Sequence, residues 1–196
     1  MKTVGLTGGI GMGKSASLQL LQTRGIAVVD TDDLGRELVE PGQPALAEIR
    51  EAFGPDVVGA DGRLCRAKLA QRVFADPAAR GRLEGILHPR IRRLWRAQFE
   101  AWRAEGRPLA VVVIPLLFET GAEGEVDAVL CAACSAATQQ QRLLARGWAA
   151  SQIRQRIQAQ WPAEKKIALA DYVIWTEGSM EVHAQQLDRV LGRLVP

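Results

Sequence analysis

The chain has 196 residues, enough for one domain with a small appended subdomain and an ordinary buried core. Its formal charge of +3 is modest and spread along the chain, with no Lys/Arg run interleaved with aromatics, which argues against a nucleic-acid binder. No apolar run approaches the roughly 20 residues of a membrane span, and the N-terminus opens on a core strand and not on a secretory leader, so a cytoplasmic protein is expected.

Lys2–Leu6 reads as a short strand with Val4 and Leu6 on one face. Next comes Gly8-x-x-x-x-Gly13-Lys14-Ser15, the pattern of a phosphate-binding P-loop, and then a helix over Ser15–Gln22 with Leu18 and Leu21 three apart. A polyphosphate carries several negative charges in a small space. Gly8, Gly9, Gly11 and Gly13 let successive backbone N–H groups converge on it. The helix adds the positive end of its dipole, Lys14 an ammonium for the β- and γ-phosphates, and the Ser15 hydroxyl a ligand for Mg²⁺.

Ile26–Val29 reads as a second strand, apolar throughout and so expected to be buried on both faces of a central position. It ends in Asp30-Thr31-Asp32-Asp33. Carboxylates at the carboxyl end of such a strand sit where α/β sheets bind ligands. Asp32 is a candidate for taking the proton of an attacking hydroxyl, and in an extended segment it shares a face with Asp30. Asp32 or Asp33 could instead cap a helix over Leu34–Val39, although capping needs one Asp and not three.

From Pro41 to Arg107 the pattern is helical apart from Val57-Val58. Leu46, Ile49 and Phe53 mark one helix, Leu69 and Val73 another, and Asp76-Pro77 caps a third. His88-Pro89 is expected to interrupt that third helix and to leave the imidazole at a helix junction, as a structural or a functional group. Ile91, Leu94, Trp95, Phe99 and Trp102 then recur at helical spacing. Some eighty residues between strands two and three exceed any bare crossover, which predicts a helical insert holding a second substrate.

Leu109–Ile114 and Val126–Ala132 read as the third and fourth strands, Asp171–Trp175 as the fifth. Pro115-Leu-Leu-Phe-Glu119 follows the third. Helices are expected over Thr138–Ala145, Ile153–Gln160 and from Ser179 on. Arg142 and Arg146, four apart, form either a lid over the phosphates or a solvated face. Cys131-x-x-Cys134 lacks two further zinc ligands and reads as small residues around a buried strand with reduced thiols. Strands alternating with helices give an α/β fold: a parallel sheet of about five strands, flanked by helices, of P-loop NTPase type.

These motifs, in this order, resemble the dephospho-CoA kinase family. The resemblance rests on Gly5–Ser15, Val29-Asp-Thr-Asp32, Asp61-Gly-Arg-Leu64, Val73-Phe-Ala-Asp-Pro77, Leu83-Glu-Gly-Ile-Leu-His-Pro89, Ile114-Pro-Leu-Leu-Phe-Glu119, Gln139-x-x-Arg142-x-x-x-Arg146 and Ala170-Asp-Tyr-Val-Ile174. It implies an adenylate-kinase-like fold and transfer of the ATP γ-phosphoryl group to the ribose 3′-hydroxyl of dephospho-CoA, with ATP as co-substrate and Mg²⁺. It implies a core over 1–40, 108–136 and 168–196, a substrate-binding insert over 41–107 and a lid over 137–167. By resemblance Asp32 engages the hydroxyl, His88 and Glu119 lie on the substrate side, and Gly11–Ala16, including Met12 and Ala16, binds ATP. Met12 and Ala16 stand where the family commonly has Ser and Thr, Gly147 where Asp usually follows the arginine matching Arg146, and Thr176 in place of a usual Asn. The competing readings are another small-molecule or nucleotide kinase, and an NTP-dependent switch; the chain has no Asn-Lys-x-Asp guanine reader and no visible base-reading pocket.

Overall fold

Five consecutive buried apolar residues form β3 (Leu109–Val113), and six buried residues form β4 (Ala128–Ala133). Strands with no polar face must be covered on both sides, which puts them inside a sheet. In the computed structural model, which describes residues 1–195 apart from the side chains of Phe74 and Ala75, they flank β1 (Lys2–Thr7) in a five-stranded sheet of order β2-β3-β1-β4-β5. β1 pairs in parallel with both, Leu6 lying opposite Val113 and Leu130, and β4 pairs in parallel with β5 (Tyr172–Trp175). Within the expected motifs, Phe74 and Ala75 of Val73–Pro77 lie outside the described side chains, and Pro196 lies outside the described residues.

The chain divides into two compact units, Met1–Val29 with Phe99–Pro196, and Asp30–Gln98. In the first, one face of the sheet is covered by α1 (Lys14–Thr23) and α9 (Met180–Leu194). Val4, Leu6, Val111, Val113, Leu130 and Ile174 pack there against Leu21, Leu187 and Val190. α6 (Ala136–Ala145), α7 (Ala150–Gln158) and α8 (Ala163–Leu169) lie between β4 and β5 in sequence. The second unit holds α2 (Thr31–Glu37), α3 (Pro44–Phe53), α4 (Arg66–Ala75) and most of α5 (Pro77–Ala104), with a core of its own built on Ile49, Phe53, Val57 and Leu69. No helix among the described residues is long and apolar enough to cross a membrane.

Five expectations differ from the structure. β2 (Ala27–Asp30) is an edge strand and only half-buried, so its apolar run does not mark a central position. The chain turns helical at Thr31, so Asp32 is not extended beside Asp30. Asp30 is itself the cap of α2, its carboxylate accepting the Asp32 N–H at 2.8 Å. Pro89 does not interrupt a helix: α5 runs through it. The apolar positions on both sides of Pro89 keep one helical period, and the Arg90 guanidinium donates to the Ile86 carbonyl at 2.6 Å, supporting the backbone where proline disturbs the ladder. Val57-Val58 is no strand but the end of a short 3₁₀ turn, with Val58 bridging Leu64.

Candidate active site

Residues 8–13 join the central strand β1 to α1. Gly13 ends the loop in the left-handed region, φ 94°, and caps α1 without a side chain, so the first amides of the helix are left for a ligand. A Cβ on Gly13 would stand 2.8 Å from the Thr176 hydroxyl, and one on Gly8 2.2 Å from the Ala132 carbonyl oxygen. Only glycine lets the loop lie this close to the ends of β4 and β5. Gly9, Gly11 and the buried Met12 complete the turn, the Met12 N–H donating to the Gly9 carbonyl at 3.2 Å. Lys14 Nζ donates to the carbonyls of Gly8 at 2.7 Å and Gly9 at 3.0 Å, so the ammonium curls back over the loop. Ser15 is exposed and Ala16 half-buried in the first turn of α1.

The rest of the first unit braces this loop. The Thr176 hydroxyl donates to the Met12 carbonyl at 3.0 Å, and Arg142 donates to the Thr176 hydroxyl at 2.9 Å and carbonyl at 2.5 Å. Beside it, hydrogen bonds from Ser135, Thr138 and Trp175 hold the Glu177 carboxyl down to about 2. At the apex of the loop, Gln139 Nε2 donates to the Ile10 carbonyl at 2.7 Å and Gln160 Oε1 accepts the Ile10 N–H at 2.9 Å. Behind α1, buried His183 meets the Ser17 hydroxyl at 2.9 Å; burial, and then the charge of Arg142, lower its pKa.

Glu119 follows β3 and is not a free carboxylate. Its Oε1 accepts from Lys166 Nζ at 2.8 Å and from the Trp161 N–H at 2.9 Å, while its buried Oε2 has no hydrogen-bond partner. Lys166 is fully buried and also donates to the Pro115 carbonyl, which accepts the Thr7 hydroxyl as well. Arg146 stands just past α6, exposed. Gly147 at φ 81° follows, where the Gly147 and Trp148 N–H groups bond back to Leu144 and Leu143. A glycine suits this left-handed helix stop.

Asp32 and His88 are carried by the second unit, Asp32 exposed in the first turn of α2 and His88 exposed within α5. Burial raises the Asp30 pKa, against its hydrogen bond from Asp32. Cys131 and Cys134 are buried free thiols, and burial pushes Cys131 up to about 11 although Lys166 and Lys14 oppose it. Among the described residues no group of three or more His, Cys, Asp or Glu can hold a metal ion.

A family model described as dephospho-CoA kinase matches residues 2–181. This chain belongs to the dephospho-CoA kinase family. A protein of Anaeromyxobacter dehalogenans named dephospho-CoA kinase is 46% identical over 195 residues, covering 99% of this chain and 92% of its own. One of Corynebacterium glutamicum with the same name is 39% identical over 195 residues, covering 99% and 100%. Among solved structures, a Thermus thermophilus protein superposes with a TM-score of 0.86 at 36% identity, over 100% of this chain and 98% of that one. A dephospho-CoA kinase from Campylobacter jejuni gives 0.74 at 22% identity over 100% and 98%, a likeness of fold.

Against the family motifs, reading the sequence singled out the loop, Arg142 and Glu119 but missed their partners. Gln160 and Lys166 received no role, and Thr176 was noted only as a departure. The one local signal for Lys166 is that it lies on α8 one turn after Ala163 and beside Ile167, on the side where a solvated lysine has no place.

Proposed function

We propose that this chain transfers the γ-phosphoryl group of ATP to the ribose 3′-hydroxyl of dephospho-CoA, giving coenzyme A in the last step of its biosynthesis. The observation that carries the reading is a braced Gly8–Ser15 loop with Lys14 folded over it, in a chain whose family match spans residues 2–181. The loop amides and the Lys14 ammonium hold the β- and γ-phosphates, and Gly11–Ala16 forms the floor of the ATP site. Arg142 adds positive charge for the migrating phosphoryl group, and Arg146 contacts the nucleotide from the 137–167 lid. The donor set fits Mg²⁺ held largely by phosphate oxygens and water, because the described residues offer no acidic cage while the Ser15 hydroxyl directly follows Lys14. When bound, the ion neutralises charge on the β- and γ-oxygens.

Asp32 accepts the proton of the 3′-hydroxyl as its oxygen bonds to the γ-phosphorus and the β–γ bridging bond breaks, releasing ADP. An exposed carboxylate in the first turn of a helix, with Asp30 already serving as the cap, is free for this work. We assign acceptor binding to the helical insert, with His88 on it. A unit with its own core, Asp30–Gln98, supports that assignment. We take the site of action to be the cytoplasm. The test is ATP consumption with dephospho-CoA against nucleosides, other nucleotides and water. Stimulation by dephospho-CoA alone is expected; equal rates with every acceptor would overturn the reading.

A further inference from the structure

The apex of the phosphate loop is held from two directions. The Ile10 peptide has its carbonyl bonded by Gln139 of α6 and its N–H bonded by Gln160, which stands between α7 and α8. Gln139 is buried on a regular helix and needs no further support. Gln160 sits on a joint, and that joint is fixed by the next residue: the Trp161 N–H donates to Glu119 Oε1, which also receives Lys166. Lys166 then reaches the Pro115 carbonyl, shared with the hydroxyl of Thr7, the last residue before the loop. One network therefore touches both the root of the loop and its apex. A fully buried ammonium paired with a largely buried carboxylate is weak evidence for stability, since apolar residues of similar volume serve as well or better. Its location at the joint that carries Gln160 gives the pair a positional purpose.

We propose that Gln160, held by the buried Lys166–Glu119 pair, is a positioning residue for the phosphate loop, so that the posture of the α7–α8 joint sets the loop's affinity for a nucleoside triphosphate. The inference rests on the ATP-binding reading above. Coupling of this kind is reciprocal: if the joint shapes the loop, a bound polyphosphate steadies the joint.

The test uses the full chain and ATP with magnesium, reading the dissociation constant by calorimetry and the Ile10 and Trp161 amides by hydrogen exchange. Gln160→Ala is expected to weaken ATP binding about 2- to 10-fold, the worth of one hydrogen bond, and to deprotect the Ile10 amide while amides of β4 stay protected. Gln160→Glu keeps an acceptor of the same reach and is expected to restore Ile10 protection. In the wild type, saturating ATP is expected to slow exchange at Trp161, a measurement that stands even if Gln160→Ala fails to fold. Unchanged ATP affinity and Ile10 protection in Gln160→Ala, or a Trp161 amide indifferent to ATP, would overturn the inference. Wild-type protein that binds no ATP would instead overturn the functional reading beneath it.

Discussion

Arg142 grips Thr176 at two oxygens, donating to its hydroxyl at 2.9 Å and its carbonyl at 2.5 Å, while that hydroxyl donates onward to the Met12 carbonyl. A residue from α6 thus fixes the end of β5 against the phosphate loop. Thr176 is a buried strut in this chain.

Thr176→Val keeps the shape of the side chain and removes the hydroxyl. The Met12 carbonyl and one Arg142 N–H then lose their partner in a buried site, for an expected loss of about 1–3 kcal/mol in denaturant unfolding. Thr176→Ser keeps the hydroxyl and is expected to stay within about 1 kcal/mol of wild type. Equal stabilities for the two variants would remove the strut.

Lys166→Met leaves Glu119 buried without its cation, a change expected to cost about 3–5 kcal/mol. Adding Glu119→Gln removes the stranded charge and is expected to recover much of that loss, since the neutral amide still accepts the Trp161 N–H. A double-mutant cycle by urea unfolding checks it; strict additivity would mean that the two side chains do not interact.

His183 supplies a pH dependence. Its folded pKa lies below the ordinary 6.5, through burial first and the Arg142 charge second. Between the folded value and about 6.5 the unfolded chain binds the extra proton and the native one does not, so stability falls as pH drops through that window and levels off below it. His183→Gln can still bond to Ser17 but cannot titrate. Its stability is expected to change less with pH across that window, and an unchanged slope would show that His183 does not titrate as described.

Lys14 and Asp32 separate binding from chemistry. Lys14→Ala is expected to lose both ATP affinity and turnover, because its ammonium serves the phosphates directly. Asp32→Ala is expected to bind ATP normally while kcat falls roughly 10²–10⁴-fold. Calorimetry with steady-state kinetics distinguishes them; near-normal turnover in Asp32→Ala would take that carboxylate out of the mechanism.

Much of the molecule was legible because its constraints are local. The glycines around Lys14 are demanded by backbone approach, and β3 and β4 announce themselves by having no polar face. What escaped the sequence depended on distant partners. An apolar tetrapeptide such as Ala27-Val-Val-Asp30 looks the same at an edge as at the centre. Proline 89 obeyed the apolar period of α5 over its own local preference. Three aspartates in four positions hid which one caps α2, and the place of Lys166 is set by Glu119, far away in sequence.

The most direct test follows the phosphorus atom itself. In a rapid-quench single turnover with ATP labelled at the γ-position, excess enzyme and dephospho-CoA, the label is predicted to appear on the ribose 3′-oxygen of coenzyme A, one per ADP formed. Label released as inorganic phosphate, or left on ATP whether or not dephospho-CoA is added, would contradict the account.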